Sequence, residues 1–371
     1  MTATLRIVLD REPVGSDLSE AATELARGLV ATTPAECSVE AVVPAGAPDP
    51  QVDVPGLASV TRLSLGAREL RAAWQLGVPA GGGGGLLHAT SLAAPLVRHD
   101  RVHDHDQTVV TAWDLDAWER PGELARGAVL AQRAFLKRAV RFADAVVVPT
   151  HATAERLAEI ARLGDRVRVI PGAPPEDFRV PADEVGRRRS LGLPEGFVLM
   201  SGSAAPSGRL SDGFRAVALA MADLPVVVID APEGEEPAIV DAASAAGLPE
   251  TRVHVRPHLD RHDRAAVLGA AVAYLAPSEL SGFPWRLVEA LRLGVPTIAA
   301  ASQVHREIVA EGGMLVDLSD GSPGEALSAA LAAALASAAD GERWGVLAGD
   351  RGRAFSWAGA GEKVWQLHAD L

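Results

Sequence analysis

Cysteine is nearly absent from the sequence, since Cys37 is the only one in 371 residues. A single cysteine excludes an internal disulfide and any zinc site built from several cysteines. Basic residues are also in deficit, because 35 Lys and Arg stand against 48 Asp and Glu and leave a net charge of −13. This balance argues against nucleic acid as the main partner, which is held through clustered Lys and Arg at its phosphates.

Long apolar runs are missing as well. No segment reaches the roughly 18 to 20 apolar residues that are needed to span a bilayer. The amino terminus, MTATLRIVLD, lacks the basic segment and long apolar segment of a secretory signal peptide. We therefore expect a cytoplasmic protein without a transmembrane segment, and a peripheral membrane contact stays open.

Short β-branched runs alternate with amphipathic helical patterns along the chain, which is typical of parallel α/β architecture. Helices are predicted near residues 17–31, 122–142, 151–162 and 323–339. Strands are predicted at LRIVLD, SVEAVVP, TRLSL, LLHATS, TVVTAW, AVVVPT and RVRVIPG in the first half, and at FVLMSGS, PVVVID, RVHVRP, AYLAPS, PTIAA and GMLVD in the second.

Two domains are expected from this pattern and from the length of the chain. The segment PGAPPEDFRVPADE, residues 171–184, has the composition of a linker. The fold class is therefore α/β, with two doubly wound Rossmann-like domains that face each other across a cleft. We place the first at 1–175 and the second at 176–351, with a final helix at about 352–371 packing back on the first. Because ligands in such folds bind outside the carboxyl ends of the strands, the cleft is the expected site.

One stretch, PSELSGFPWRLVEALRLGVP at residues 277–296, has the features of an anion site followed by a carboxylate. Gly282 permits a tight turn, and Pro284 suits the first position of a helix. Free amides at such a helix start attract a phosphate. Glu289 lies about a turn and a half further on, where its carboxylate would accept hydrogen bonds from a ribose diol. A solvated helix residue is the alternative for Glu289.

This stretch, extended to PTIAA and followed by REIVAEGGMLVD, resembles the donor-site region of family 4 glycosyltransferases, which have the two-domain GT-B fold. FADAVVVPTHATAERL and RVRVIPGAPPEDF resemble the end of the family's acceptor domain, and HATSLAAPL and VVTAWDLDAW resemble its middle. The resemblance implies a donor site in which Glu289 holds the ribose. It also implies that the turn at Ser281, Gly282, Phe283 and Pro284 faces the diphosphate and the sugar.

Three positions depart from the family pattern. Ser281 stands where the family has a first Glu, with Glu279 two residues earlier. In SGSAAPSGRLSDGF, residues 201–214, Ser207 and Gly208 replace an adjacent Arg and Lys that bind the phosphates. Arg209, one position later, is the leading replacement cation, and the loop from Gly202 and Ser203 is expected to hold the diphosphate.

The third departure is Trp113, which stands where the family often has a His near the reacting sugar, although Asp114 is kept. Trp113 either stacks on a sugar face on the acceptor side or packs in the core. His88, at the end of a strand, either faces the acceptor, as a catalytic residue together with Arg209 and Asp114, or is structural. Gly15, the single glycine after the first strand, is also placed on the acceptor side.

The segment RHDRVHDHDQ invites a metal interpretation, but the irregular spacing of its three histidines favours a solvated turn. We expect no metal and no cofactor. The resemblance implies a retaining hexosyltransferase that uses a nucleotide-diphosphate sugar, with GDP-mannose first and a saccharide or glycolipid as acceptor. The alternative is a fold that has lost catalysis and acts as a partner or regulator of an active enzyme.

Overall fold

The computed structural model describes residues 3–9, 16–47, 54–81, 84–100, 102–220, 223–280, 282–319 and 321–371. The chain divides into two compact units. The first unit comprises Met1–Glu176, Ser281–Phe283 and Ser356–Leu371, and the second comprises Asp177–Leu280 and Pro284–Phe355. Each unit has its own parallel sheet and its own hydrophobic core.

The sheet of the first unit has seven strands in the order β3-β2-β1-β4-β5-β6-β7, and all the paired strands are parallel. The strands are β1 Ala3–Val8, β2 Cys37–Val43, β3 Ser59–Arg62, β4 Leu86–Ala89, β5 Gln107–Thr111, β6 Ala145–Val148 and β7 Val167–Val169. The helices are α1 Asp17–Ala31, α2 Ala67–Leu76, α3 Asp116–Glu119, α4 Arg126–Phe142 and α5 His151–Ile160, with the C-terminal helix given below.

The second sheet has six parallel strands in the order β10-β9-β8-β11-β12-β13. Its strands are β8 Phe197–Ser201, β9 Val226–Ile229, β10 Val253–Val255, β11 Ala271–Ala276, β12 Thr297–Ala300 and β13 Met314–Val316. Its helices are α6 Glu184–Ser190, α7 Leu210–Ala220, α8 Glu236–Ala245, α9 Arg261–Ala270, α10 Trp285–Arg292, α11 Gln303–Val309, α12 Pro323–Ala334 and α13 Ala338–Gly352.

Continuous apolar runs form inner strands of both sheets. All four residues of β6 and all four of β9 are buried. A parallel sheet covered by helices buries both faces of its strands, so such runs lack the alternation of a half-exposed strand. The same runs are the ones from which the strands were predicted.

Helix α14, Trp357–Asp370, belongs to the first unit and packs closely on α1. Glycines permit this approach, since a Cβ at Gly28 would lie 2.2 Å from the carbonyl oxygen of Trp357, and one at Gly361 would lie 2.6 Å from the backbone of Gly28. The indole Nε1 of Trp365 donates to the carbonyl of Leu29 at 3.1 Å. The last helix is thus held by close backbone contact as well as by burial.

The helices differ from the predictions in several places. Helix α4 begins at Arg126, four residues later than expected, because a short 3-10 turn occupies 121–123. The predicted helix 323–339 is broken, since α12 ends at Ala334 and Ser337 caps the start of α13. Helix α2 was not predicted. Only two of its side chains, Leu70 and Trp74, are buried, so the helix has a weak pattern of core-facing apolar residues. Within the described ranges, none of the helices combines the length and the apolar character that crossing a bilayer demands.

Candidate functional site

The centre of the second sheet lies between β8 and β11. After β8 the chain continues to β9 on one side, and after β11 it continues to β12 on the other, so the direction of strand order reverses here. In open α/β sheets, ligands bind outside the carboxyl ends of the strands at this reversal. The loops at 202–209 and 277–280, which follow β8 and β11, therefore form the edge where a ligand is expected.

The loop after β8 carries the predicted diphosphate contacts. Gly202 adopts φ 129°, a conformation that favours glycine, and its N–H donates to the carbonyl of Ile229 at 3.0 Å. The Ser203 hydroxyl accepts from the amide of Ala205 at 3.3 Å. Ser207 and Gly208 lie in a 3-10 turn that ends directly before Arg209.

Arg209 is held by two acidic side chains. Its Nε donates to Asp212 at 2.8 Å, and its Nη1 pairs with Glu279 from the loop after β11. The backbone of Arg209 is left-handed, with φ 52°, which L-residues adopt at some cost. A cation is therefore present at this edge, and its charge is compensated within the second unit.

Glu289 lies in α10, which begins at Trp285, so Pro284 lies one residue before the helix and not at its predicted first position. The carboxylate is buried between two buried arginines, and all three side chains are at most 4% exposed. Nε of Arg264 lies 2.9 Å from Oε1 and 3.0 Å from Oε2, and its Nη2 lies 2.9 Å from Oε1. Nη1 of Arg286 donates to Oε2 at 3.0 Å. These contacts engage the roughly four lone-pair positions of the carboxylate.

The solvated alternative for Glu289 is thus wrong, because the side chain is buried and paired. The predicted contact of Glu289 with a ribose stays a prediction. It requires one of the two arginines to release a carboxylate oxygen.

Asp230 and His258, which were not predicted from the sequence, extend this network to the surface. Nε of Arg286 donates to Asp230 Oδ2 at 2.7 Å, and Nδ1 of His258 lies 2.9 Å from Oδ1. Burial alone would raise the pKa of Asp230, but Arg286 and His258 outweigh it and the pKa is lowered. Asp230 directly follows β9 and has φ 62°. Its place at a strand end was the available signal, because such positions meet at one edge of the sheet.

Trp113 and Asp114 lie in the first unit, just beyond β5. Nε1 of Trp113 donates to the carbonyl of Thr90 at 2.9 Å, and the ring lies 6.1 Å from that of Phe283 and 6.4 Å from that of Trp357. The ring is buried, at 6% exposure. The ring therefore packs within the first unit, and the acceptor-side role of Trp113 stays a prediction.

Burial, with Asp116 nearby, raises the pKa of Asp114 to about 6. Residues 282–283 also belong to the first unit. The amide of Phe283 donates to the carbonyl of Trp113 at 3.1 Å, and a Cβ at Gly282 would lie 3.3 Å from that of Asp114. A carboxyl group that changes charge near neutral pH is thus present beside the predicted donor turn.

His88 lies in β4 and is fully buried. Neither ring nitrogen has a hydrogen-bond partner among the described residues. Burial lowers its pKa well below the usual value, and the nearby His368 lowers it further. The predicted catalytic role of His88 stays a prediction, and it requires a path from this buried position to a substrate.

Two predicted site residues, Gly15 and Ser281, lie outside the described residues. The histidine-rich segment is described except for residue 101. His99 pairs with Asp144 at 2.7 Å, and His103 pairs with Asp100 at 2.9 Å. In the described part of the chain, no three His, Cys, Asp or Glu side chains are grouped to hold a metal ion.

Most of the second unit is similar to a known protein family. Residues 187–345 match the family "Glycosyl transferases group 1". The match includes Arg209 and Glu289. A curated relative, the D-inositol 3-phosphate glycosyltransferase of Stackebrandtia nassauensis, is 31% identical over 197 residues. That alignment covers 48% of this chain and 44% of the relative, so the chain matches less than half of that protein's length.

Solved structures share the fold over nearly the whole chain. Anabaena HepE in complex with UDP and glucose has a TM-score of 0.70 at 17% identity, with 100% of both chains covered. Sucrose-phosphate synthase from Thermosynechococcus elongatus has a TM-score of 0.68 at 18% identity, covering 99% of this chain and 98% of that one. WaaG, a glycosyltransferase involved in lipopolysaccharide biosynthesis, has a TM-score of 0.67 at 15% identity, covering 97% and 98%. The predicted GT-B class, with two Rossmann-like domains, is confirmed, and membership of family 4 stays a prediction.

Proposed function

We propose that this protein is a glycosyltransferase that moves a sugar from a nucleotide-diphosphate donor to a hydroxyl group of an acceptor. The observation that carries the proposal is the position of the glycosyl transferases group 1 match, residues 187–345. It contains the strand-order reversal of the second sheet, with Arg209 and Glu289 near it. The UDP and glucose in the HepE complex support a nucleotide-sugar donor.

The finer parts of the proposal come from the sequence resemblance. The sugar is a hexose, with mannose from GDP-mannose as the first donor to test, and the acceptor is a saccharide or a glycolipid. Transfer retains the configuration at the sugar carbon, because the departing diphosphate takes the acceptor proton on the same face. No resident cofactor enters this scheme. A cytoplasmic location also stays a prediction.

In this scheme Arg209 offsets the charge that builds on the leaving diphosphate, a contribution often worth about 3 to 4 kcal/mol of barrier when one donor is removed. The amides of the loop after Gly202 add to it. Asp114, whose pKa of about 6 lies close to neutral, holds the acceptor hydroxyl. The ribose contact of Glu289 forms once Arg286 turns wholly to Asp230, with which it already shares two hydrogen bonds.

A second candidate is a protein that binds the donor, or a partner enzyme, without catalysing transfer. It is favoured by one specific arrangement, in which the Arg209 charge is already compensated by Asp212 and Glu279. A cation engaged in this way stabilises a leaving group less than a free one does.

Thermal unfolding in the presence of GDP, UDP, ADP and their common sugar conjugates tests the proposal. A ligand at about a hundred times its dissociation constant stabilises the folded state by about 2.7 kcal/mol. We expect one base to raise the midpoint clearly and the others to leave it near the ligand-free value. If none of these ligands raises the midpoint of thermal unfolding, the result would contradict a working donor site.

The sugar conjugate of the base that binds is then incubated with acceptors while release of the nucleoside diphosphate is measured. Release that depends on the acceptor, and is lost in Arg209→Gln, supports transfer. The matched control is Arg353→Gln, at an exposed arginine after α13. Binding without any release favours the second candidate.

A further inference from the structure

The two loops at the strand-order reversal of the second sheet are joined to each other. Arg209, at the end of the loop after β8, pairs with Glu279 in the loop after β11. The hydroxyl of Ser278 donates to the carbonyl of Ser207 at 3.2 Å, so this contact lies one residue from Glu279 and two residues from Arg209. An ion pair between two side chains and a hydrogen bond from a side chain to the backbone therefore connect the same two loops at the edge where a ligand is expected.

The side chain of Glu279 is 45% exposed, and Arg209 is its one hydrogen-bond partner among the described residues. Asp212, the second acid on Arg209, differs because it lies in the first turn of α7 and holds Nε of the same guanidinium from within its own helix. Asp212 thus orients Arg209, whereas Glu279 occupies the part of the guanidinium that faces the other loop.

A carboxylate and a phosphate are alike in what they offer an arginine, namely negative charge and oxygens that accept its hydrogen bonds. A diphosphate that enters at this edge meets Arg209 already bound to a carboxylate. It also meets the repulsion of the Glu279 charge. Because the pair is partly exposed, with Arg209 at 23% and Glu279 at 45%, its attraction is weak enough for a ligand to displace.

We infer that Glu279 is an internal competitor for the anion subsite, a carboxylate that occupies Arg209 until a diphosphate displaces it. Glu279 therefore sets the donor affinity of this protein and selects for ligands with enough negative charge to break the pair. This inference rests on the proposed function. It explains how a compensated Arg209 still serves a donor site, since the compensating carboxylate is the one that leaves.

Titration calorimetry with Glu279→Gln tests the inference. The probes are GDP, UDP and inorganic pyrophosphate, because pyrophosphate reports on the anion subsite without a base or a ribose. Removing the carboxylate frees the guanidinium and removes the repulsion, so we expect the best ligand to bind about threefold to tenfold more tightly than to the wild type. Glu250→Gln makes the same charge change at an exposed residue just before β10, at the opposite edge of the sheet, and should leave the affinity unchanged.

A double-mutant cycle with Arg209→Gln separates competition from a general charge effect. If Glu279 acts through Arg209, Glu279→Gln gives a smaller gain in the Arg209→Gln background than in the wild type. An equal gain in both backgrounds would overturn the inference.

The outcomes distinguish the inference from the proposed function. Nucleotide binding of equal affinity in wild type and Glu279→Gln overturns the inference and leaves the function standing. Pyrophosphate that binds Glu279→Gln more tightly while no nucleotide binds supports the anion subsite and removes the donor proposal. Absence of binding by every probe to both proteins overturns both.

Discussion

In the first unit, His88 and His368 lie buried with rings 5.7 Å apart, and three of their four ring nitrogens have no hydrogen-bond partner among the described residues. In the second unit, Glu289 lies buried between Arg264 and Arg286, with every carboxylate oxygen paired. Burial lowers the pKa of His368 to about 4 and that of His88 well below its usual value. The histidines are therefore neutral near pH 7, whereas the acid and the two arginines stay charged.

The difference shows two ways of keeping an ionisable group inside a protein. Transfer of a charge from water is expensive, so an isolated group changes protonation state, and a group that must stay charged needs partners. An imidazole has a usual pKa of about 6.5, so burial can remove its charge near pH 7, whereas a guanidinium stays charged. The first unit thus becomes sensitive to acid, and the second becomes sensitive to the loss of any one member of its network.

The largest effect on stability is expected when the buried network of Glu289, Arg264 and Arg286 in the second unit is broken. Glu289→Ala removes the carboxylate that binds both Arg264 and Arg286, and the Leu259 carbonyl, 3.1 Å from Nη1 of Arg264, carries no charge that could replace it. Leaving one partner of a buried ion pair uncompensated costs about 3 to 5 kcal/mol. Urea unfolding at pH 7 measures this loss of free energy of unfolding.

Glu279→Ala is the matched control, because it removes the same charge from a pair that is partly exposed and should cost under about 1 kcal/mol. Equal losses for the two variants would mean that the Glu289 network behaves as a surface ion pair, and the comparison between the units would fail.

The second largest effect is a loss of free energy of unfolding in acid, which arises in the first unit. A group whose folded-state pKa is depressed holds fewer protons when folded, so stability falls as pH drops from about 6.5 through the folded pKa. For His368, with a folded pKa of about 4, this loss amounts to about 3 kcal/mol by pH 4. Asp144, which acts to raise the pKa of His368, moderates the loss.

Unfolding free energies at pH 7 and pH 4.5 measure the loss in the wild type and in a His88→Leu, His368→Leu variant. We expect the difference between the two pH values to shrink in the variant. His262→Gln, at an exposed position in the second unit, is the control and should keep the wild-type difference. An undiminished difference in the double variant would place the acid sensitivity elsewhere.

Much of the fold could be predicted from the sequence, because buried parallel strands appear as short apolar runs such as Ala145–Val148 and Val226–Ile229. The break at Leu335 was missed, since an unbroken run of Ala and Leu continues through it and only the Ser337 cap marks the new helix. Sequence pattern therefore predicts where strands lie better than it predicts where alanine-rich helices end.

The site was predicted less completely. Glu289 was found through its spacing from the Gly282 turn, but its partner Arg264 lies 25 residues away and Asp230 lies 56 residues from Arg286. Local spacing does not report pairs that form only when distant strands and helices meet. The buried and paired state of Glu289 was for that reason outside the reach of the motif.

The smallest effect sharpens the comparison within the first unit itself. His99 is the counterpart of His88, because its Nε2 lies 2.7 Å from Asp144 Oδ2 and its Nδ1 lies 3.0 Å from the carbonyl of Val97. Both partners are acceptors, so the doubly protonated, charged form of the ring is the one that donates to both. The hydrogen bond to Asp144 raises the pKa of His99.

The sign of the pH effect is therefore opposite to that of His88. The stability that His99 contributes is present below its unfolded pKa of about 6.5 and is lost as pH rises through the raised value. His99→Gln should cost about 1 kcal/mol at pH 5.5 and less at pH 8.5, as measured by urea unfolding. A cost that does not change with pH would show that the pair is not charged. A cost that is smaller at pH 8.5 than at pH 5.5 would show that the presence of a carboxylate partner, and not the unit in which a histidine lies, decides whether a buried histidine is neutral.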